Sequence, residues 1–428
     1  MKRRLYPGRD YRRAQSIDEL RELARRRLPN FSFEYVEGGS DDEFTLQRNR
    51  AIFESITLQP RTLRNVGTRD LRRDFFGKLS ALPFMVGPTG FNGLLTAGGD
   101  LRLAEAAARA GVPFVLSNAS TSSVEDIAAI DGIRAWMQIY LYRTRDHVAK
   151  LVERVRRLEL EAIVVTTDSA IFGNREWDRR NYVRPLQLDL RNKLDVARHP
   201  GWVWDVLVPG GVPRFANLGD LLPPGKDSVK GAASALAAEL DPSLNWDDIA
   251  WLRDIWKGKL IIKGMIHPAD AEIALGYGVD GVVLSNHGGR QLDGAVSAME
   301  TLADVARLAR GRMSVFLDGG FRRGSDIVKA LLLGADGVLL GRAALYGLAA
   351  GKGPGASHAI EILRSEVDRT LGLLGCSTLD ELSPELIHAP AWRAAAQAVA
   401  SGESHSGGAA GSNLGASTMN WMRNDALS

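Results

Sequence analysis

Ser285-Asn286-His287-Gly288-Gly289-Arg290-Gln291-Leu292-Asp293-Gly294 is the segment of this 428-residue chain most suited to chemistry. A histidine near its ordinary pKa can take a proton at neutral pH. An arginine presents a rigid fork that matches a carboxylate. The paired glycines let the backbone approach a flat ligand closely. An isolated His–Arg pair would read more simply as a loop histidine beside a surface arginine. Within this string the chemical reading outweighs that one.

Two further strings suit phosphate. They are Asp318-Gly319-Gly320-Phe321-Arg322-Arg323-Gly324 and Gly341-Arg342. Their glycines expose backbone N–H groups and their arginines neutralise charge. One such string would equally describe a tight turn with solvated arginines; two at related positions carry more weight. Lys263 follows the apolar run Leu260-Ile261-Ile262. A lysine there is either an electrostatic group or a Schiff-base nucleophile, and the residues leave both open.

These groups need a frame. Short apolar runs alternate with helical stretches at Phe84–Val86, Pro113–Leu116, Ala135–Ile139, Ala162–Val165, Leu260–Ile262, Gly281–Leu284, Ser314–Leu317 and Gly337–Leu340. Such alternation predicts parallel strands joined by crossovers, and eight units close into an α/β (β/α)8 TIM barrel. Polar residues follow the runs: Pro88-Thr89-Gly90, Ser117, Tyr140, Thr166 and Asp168, Lys263, Ser285 and His287, Asp318, Gly341-Arg342. In a barrel that rim is where catalysis sits, and the loops after strands seven and eight bind phosphate. One barrel domain is expected over residues 1–400. It opens with a helical segment over 17–28, with Ser16 or Asp18 as N-cap and Pro29 as stop. A long insertion after strand four spans about 177–245. Its Trp202, Trp204, Val206, Leu207 and Val208 suit either a lid on the barrel or a membrane contact. Residues 401–428, rich in Gly and Ser, are expected to form a flexible tail.

Composition narrows the function. Hydrophobic residues are 45% and charged residues 25%, which is ordinary globular usage. A net charge of +3 without an aromatic-basic pattern gives no case for nucleic acid. Lys2-Arg3-Arg4 and Arg25-Arg26-Arg27 read as solvated faces rather than lipid contacts. Cys376 is the single cysteine, so no intrachain disulfide can form and no metal site is expected. No signal-peptide pattern and no apolar run long enough to span a bilayer are seen, so the cytoplasm is the expected compartment. Attachment at the inner face of a membrane stays open.

The strings Ser285–Gly294 and Asp318–Gly324 closely resemble the FMN-dependent L-2-hydroxy acid dehydrogenases and oxidases, over about residues 9–388. Gly87-Pro88-Thr89-Gly90-Phe91-Asn92-Gly93 looks like the first flavin loop of the (S)-mandelate dehydrogenase subgroup. The resemblance implies His287 as the base and Asp168 as the carboxylate that orients it. It implies Tyr35, Arg175 and Arg290 at the substrate carboxylate and Tyr140 near the substrate hydroxyl. Lys263 would lie beside the flavin where negative charge develops. Pro88, Thr89, Gly90, Ser117, Gln138, Thr166 and Ser285 would contact the flavin. Asp318, Gly320, Arg322, Gly341 and Arg342 would hold ribityl and phosphate.

The implied reaction is FMN-dependent oxidation of an L-2-hydroxy acid to the 2-keto acid. His287 is the base whether the route is hydride transfer or a carbanion. Some short-chain oxidases of the family carry a Trp where this chain has Ala119, so Gly90 and Ala119 imply a wide pocket and a mandelate-like substrate. The implied acceptor is a quinone, and the implied assembly a homo-oligomer, as a tetramer. The rivals are an oxidase that releases hydrogen peroxide, a flavin-free lyase using Lys263, and a non-catalytic scaffold.

Overall fold

Eight parallel strands close into a barrel in strict chain order: β1 Phe84–Val86, β2 Phe114–Ser117, β3 Ala135–Tyr140, β4 Ala162–Thr166, β5 Lys259–Met265, β6 Gly281–Leu284, β7 Ser314–Leu317 and β8 Gly337–Leu340. β8 pairs with β1 and β5 with β6, so no edge is left open. The computed structural model describes residues 5–184, 187–218 and 238–401. The expected barrel is therefore present. The tail expected over 401–428 lies outside the described residues except for Ser401, which ends the helix Pro390–Ser401; Lys2-Arg3-Arg4 and residues 219–237 of the insertion lie outside them too.

Side-chain alternation divides the core in two. Met85, Val115, Trp136, Val164, Ile261, Val283, Phe316 and Leu339 point into the barrel and pack together. Their neighbours point outward and pack against the helices, as Phe84, Val86 and Phe114 do. The amino-terminal end of the barrel is plugged by a two-stranded ribbon, Arg73–Phe75 with Lys78–Ser80. Phe75 lies 5.5 Å from Phe316, and Phe76 5.6 Å from Trp136, between ring centroids. That end is thus filled by aromatic rings.

β5 departs from the expected run. It extends past Lys263, and its register slips so that Val283 faces Lys263 while Leu284 faces Met265. The extra residue is Gly264, at φ +99°. A bulge with a positive φ suits glycine, and here it re-aims the strand end beside the site.

The helix Ile17–Arg27 is capped as expected: Ser16 Oγ accepts from the N–H of Glu19 at 3.2 Å. Arg25 and Arg26 are exposed. Arg27 corrects the reading of a solvated face, because it pairs with Asp205 of the insertion. The helix Asn30–Glu37 follows and carries Tyr35 to the barrel mouth.

The described part of the insertion is not a plain loop. It holds the helix Leu190–Ala197, the turn Pro200–Trp202 and a π-helical turn Val203–Leu207. Its large apolar side chains divide into buried and exposed ones. Trp202 and Val206 are buried, and Trp202 Nε1 donates to Leu94 O at 2.8 Å. Trp204 and Val208 are 70% and 58% exposed.

Candidate active site

The inward parity of each strand continues from core to rim. Two residues beyond the core layer stand Ser117, Gln138, Thr166, Lys263, Ser285, Asp318 and Gly341, and a further step reaches Tyr140, Asp168 and His287. Packing of the apolar layer thereby aims the polar residues into one carboxyl-terminal mouth. A cavity of about 360 Å³ opens there, lined by Tyr35, Pro88, Thr89, Gly90, Ser117, Ala119, Gln138, Tyr140, Thr166, Arg175, Lys263 and His287. Arg290, Asp318, Gly320, Arg322, Gly341 and Arg342 complete the expected set. Two expected residues stand behind this wall. Asp168 supports His287, and Ser285 is fully buried, accepting from Lys263 Nζ and from the His287 N–H, each at 2.9 Å. Ser285 therefore acts here as a bracket for two site residues rather than as part of the wall.

His287 Nδ1 lies 3.0 Å from Asp168 Oδ1, and Ser169 Oγ is 3.1 Å from the same carboxylate oxygen. The residue itself has φ +57°, followed by Gly288 at +67° and Gly289 at +77°. This left-handed run turns the imidazole back over the mouth, and a non-glycine residue in it is a strained position. Burial pushes the His287 pKa below its ordinary value, against the pull of Asp168. Burial works to raise the Asp168 carboxyl, but His287 and Lys263 outweigh it and hold it ionised. The pair at neutral pH is a neutral imidazole on a carboxylate. With Nδ1 committed to Asp168, Nε2 is the free basic nitrogen.

Lys263 is buried, and burial alone would neutralise it. Asp318, 3.0 Å away, and Asp168 outweigh burial and hold it above the ordinary lysine value. Paired in this way it suits the electrostatic role better than that of an amine nucleophile. Next to it runs a ladder of amide and hydroxyl groups. Ser117 Oγ donates to Gln138 Oε1 and Gln138 Nε2 to Thr166 Oγ1, each at 3.0 Å. These groups give the floor a fixed hydrogen-bonding pattern.

Four guanidinium groups converge on the cavity: Arg175, Arg290, Arg322 and Arg342. Among the described residues none of the four is in an ion pair; backbone carbonyls hold them. Arg342 donates to Val36 O, Gly288 O and Gly38 O at 2.8–3.0 Å, and Arg290 to Gly38 O at 2.6 Å. Burial, then the charge of Arg175 and Arg342, push the Arg290 pKa down to about 9. Arg342 is lowered by burial too. Arg322 is buried and the other three half-buried, and cations so withdrawn from water without a carboxylate are an expensive arrangement unless an anion joins them. Asp318 Oδ1 is a buried acceptor without a partner, suited to a hydroxyl-bearing chain. Gly320 is pressed on by the N-terminal segment, since a Cβ there would stand 1.9 Å from Asn49 O. The donor set thus fits a flat ring, a polyhydroxyl chain and a phosphate, with a second anion near Arg175 and Arg290. Of the two arginines in the Asp318–Gly324 string, only Arg322 serves the cavity, because Arg323 pairs with Glu366 at 2.6 Å.

Several site residues carry no sequence signal of their own. Phe172 and Phe215 reach the cavity from the segments that follow β4. Asn49 and Asn286 exchange two hydrogen bonds, 2.8 and 2.9 Å, tying the N-terminal segment to the His287 loop. Gln291 bridges Asp168 O, Ile171 O and the Gly173 N–H. It is part of the conspicuous string, but its role as a clamp depends on chain segments distant in sequence.

Fold and rim define a (β/α)8-barrel enzyme whose mouth takes a phosphorylated planar cofactor and a carboxylate ligand. The family model for FMN-dependent dehydrogenases matches residues 24–389. The (S)-mandelate dehydrogenase of Pseudomonas putida is 41% identical over 87% of this chain and 93% of its own length. An L-lactate dehydrogenase of Caulobacter sp. (strain K31) is 38% identical over 87% of this chain and 98% of its own. The solved structure described as the monotopic membrane protein (S)-mandelate dehydrogenase superposes with a TM-score of 0.84 at 40% identity, covering 88% of this chain and 99% of that one. The chain belongs to the FMN-dependent dehydrogenase family.

Proposed function

We propose that the enzyme oxidises an L-2-hydroxy acid with an aromatic side chain, of the mandelate kind, to the 2-keto acid, and passes the electrons to a membrane quinone. The observation that carries this reading is the content of one cavity. His287 on Asp168, two guanidiniums without a carboxylate and the small pair Gly90–Ala119 all face it or stand against it. Arg175 and Arg290 bind the substrate carboxylate, and Tyr35 and Tyr140 supply phenolic hydroxyls beside it. Oxidation removes two electrons and two protons from the substrate. His287 Nε2 takes one proton, and Asp168 stabilises the imidazolium that results. FMN, when bound, would supply the sink for the two electrons and the second proton. The Asp318, Gly320, Arg322, Gly341 and Arg342 group would hold its ribityl chain and phosphate, and the Ser117–Gln138–Thr166 ladder its ring. Lys263 contributes a fixed positive charge to the floor.

The exposed side of the insertion supports the membrane contact, and with it an acceptor held in the membrane. Leu190, Leu194, Trp204 and Val208 are 55–73% exposed, with exposed Arg191, Lys193 and Arg198 nearby in the chain. Apolar residues among cations suit the surface of an anionic bilayer. No helix among the described residues is long and apolar enough to cross a membrane. The family resemblance also supports a homotetramer, which light scattering measures.

The test is anaerobic. A yellow preparation is expected to bleach with (S)-mandelate faster than with L-lactate or glycolate. It is then expected to reoxidise quickly with a quinone analogue, slowly with oxygen, and to sediment with phosphatidylglycerol vesicles. Peroxide formed in step with turnover would replace the quinone reading by the oxidase. Faster bleaching by glycolate or lactate would remove the aromatic substrate.

A further inference from the structure

The segment 213–218 returns from the insertion to the barrel mouth and is fastened there. Asn217 is buried and acts as a staple. Its Nδ2 donates to Ser120 Oγ at 2.8 Å and Ser122 O at 3.0 Å. Its Oδ1 accepts from the Val124 N–H at 3.0 Å and from Arg154 Nη2 at 3.2 Å. The Ala216 N–H adds a bond to Ser120 O at 3.0 Å. On the other side, a Cβ built on Gly93 would be 3.0 Å from Pro213 Cβ, so that proline packs against the loop after β1. The segment is therefore locked to the two loops that carry Gly90, Phe91 and Ala119.

Between these fastenings stands Phe215. It lines the cavity, and its ring centroid is 4.8 Å from that of Phe91 at an interplanar angle of 35°. Phe91 in turn meets Tyr35 edge-on at 6.4 Å. The chain that links Phe215 to the barrel mouth has no periodic hydrophobic pattern; its position is set by the polar staple at Asn217.

We infer that Phe215, held by Asn217, is the insertion's contribution to the substrate side-chain pocket and selects for an aromatic group there. Gly90 and Ala119 leave room, but an empty space confers little affinity. An aromatic ring needs carbon surface to bury against, and the Phe215–Phe91 pair, with centroids 4.8 Å apart, provides it. Asn217 is a positioning residue: its polar atoms are all turned towards the β2 loop and the helices after it, and it acts on the pocket only through its neighbour. The inference rests on the aromatic-substrate reading above.

The experiment uses the FMN-loaded full chain and compares wild type with Phe215→Ala, Phe215→Leu and Asn217→Ala. Anaerobic flavin reduction gives kcat/KM for (S)-mandelate and L-lactate. Perturbation of the flavin spectrum gives Kd for phenylacetate and acetate, which carry no hydroxyl and do not react. Phe215→Ala is expected to lower the mandelate-to-lactate ratio about tenfold or more, with Phe215→Leu in between. The phenylacetate-to-acetate affinity ratio falls in parallel. Asn217→Ala lowers both ratios in the same direction, whereas a purely structural loss would depress both substrates equally. Equal losses for the two substrates, or an unchanged phenylacetate-to-acetate ratio in Phe215→Ala, overturn the inference. The binding ratio decides this whichever substrate the wild type prefers. A wild type that favours lactate, with the binding ratio still dependent on Phe215, overturns only the substrate reading.

Discussion

A Cβ placed on Gly264 would stand 2.6 Å from Cγ of Asp168, the carboxylate that holds His287. The bulge in β5 therefore leaves the space that Asp168 occupies. At φ +99° the position also disfavours any side chain. The catalytic pair on the loops after β4 and β6 thus depends on a glycine in the strand between them.

Gly264→Ala is expected to displace Asp168 and loosen its contact with His287. Flavin reduction by substrate should slow about tenfold to a hundredfold, the usual effect of misplacing a catalytic group by about an ångström. FMN content should stay near wild type, since the atoms nearest a Cβ at Gly264 all belong to Asp168. Stopped-flow reduction of the variant reads this directly; a wild-type rate would show that Asp168 does not need the bulge.

His287→Gln should keep FMN but slow reduction by about 10²–10⁴-fold, the worth of a positioned base. The pH dependence has a definite sign. Burial holds His287 below 6.5, so its neutral form persists from alkaline through neutral pH. The reduction rate should be flat there and fall only in acid, below 6.5. Asp168→Asn removes a group that pulls this pKa upward, so the acid limb should move to lower pH while the plateau drops. Stability follows the same direction. A histidine with a lowered folded pKa binds fewer protons folded than unfolded, so its contribution is full above 6.5 and is lost as pH falls through the lowered value. Thermal midpoints of wild type and His287→Gln should differ in their slope on the acid side. A rate limb centred at or above 6.5 would contradict the buried neutral imidazole.

Arg342→Ala should weaken FMN binding. A charge-assisted contact is worth about 1.5–3 kcal/mol, on the order of tenfold to a hundredfold in Kd. Arg342→Lys keeps the charge but not the fork that grips three carbonyls, and should fall between. Titration of the apoprotein with FMN, followed by quenching of flavin fluorescence, measures both. Unchanged affinity in the alanine variant would move the phosphate away from this arginine.

Ala119→Trp should fill the side-chain pocket. A Cβ on Gly90 would already be 3.3 Å from Ala119 Cβ, so these two small residues share one patch of wall. Excluding a ring from that space forfeits burial worth roughly 1.5–3 kcal/mol, about tenfold to a hundredfold in specificity. The kcat/KM of (S)-mandelate should drop by that factor relative to L-lactate. An equal drop for both would place Ala119 away from the side chain.

The barrel was legible in the sequence because buried parallel strands leave a local signature: short apolar runs, each followed by a polar break. The same parity placed Ser117, Thr166, Lys263, His287 and Asp318 at one rim. Strand limits were less legible, and β5 shows why. Its bulge at Gly264 comes from pairing with β6 and from the approach of Asp168, neither of which is local. Arg27 reads as a solvated arginine until Asp205, far along the chain, is brought beside it.

By itself the sequence determined the eight-unit barrel, the His287 and Asp318 strings, and the family those strings belong to. These depend on residue type at short range, where periodicity and backbone demands act. Only the tertiary structure set Lys263 beside Asp318, 3.0 Å away inside a buried mouth, where the carboxylate favours its charged form. Only the tertiary structure moved Ser285 behind the wall and drew Phe215 into it. Burial and electrostatics depend on distances between segments far apart in the chain, and those distances exist only once the barrel has closed.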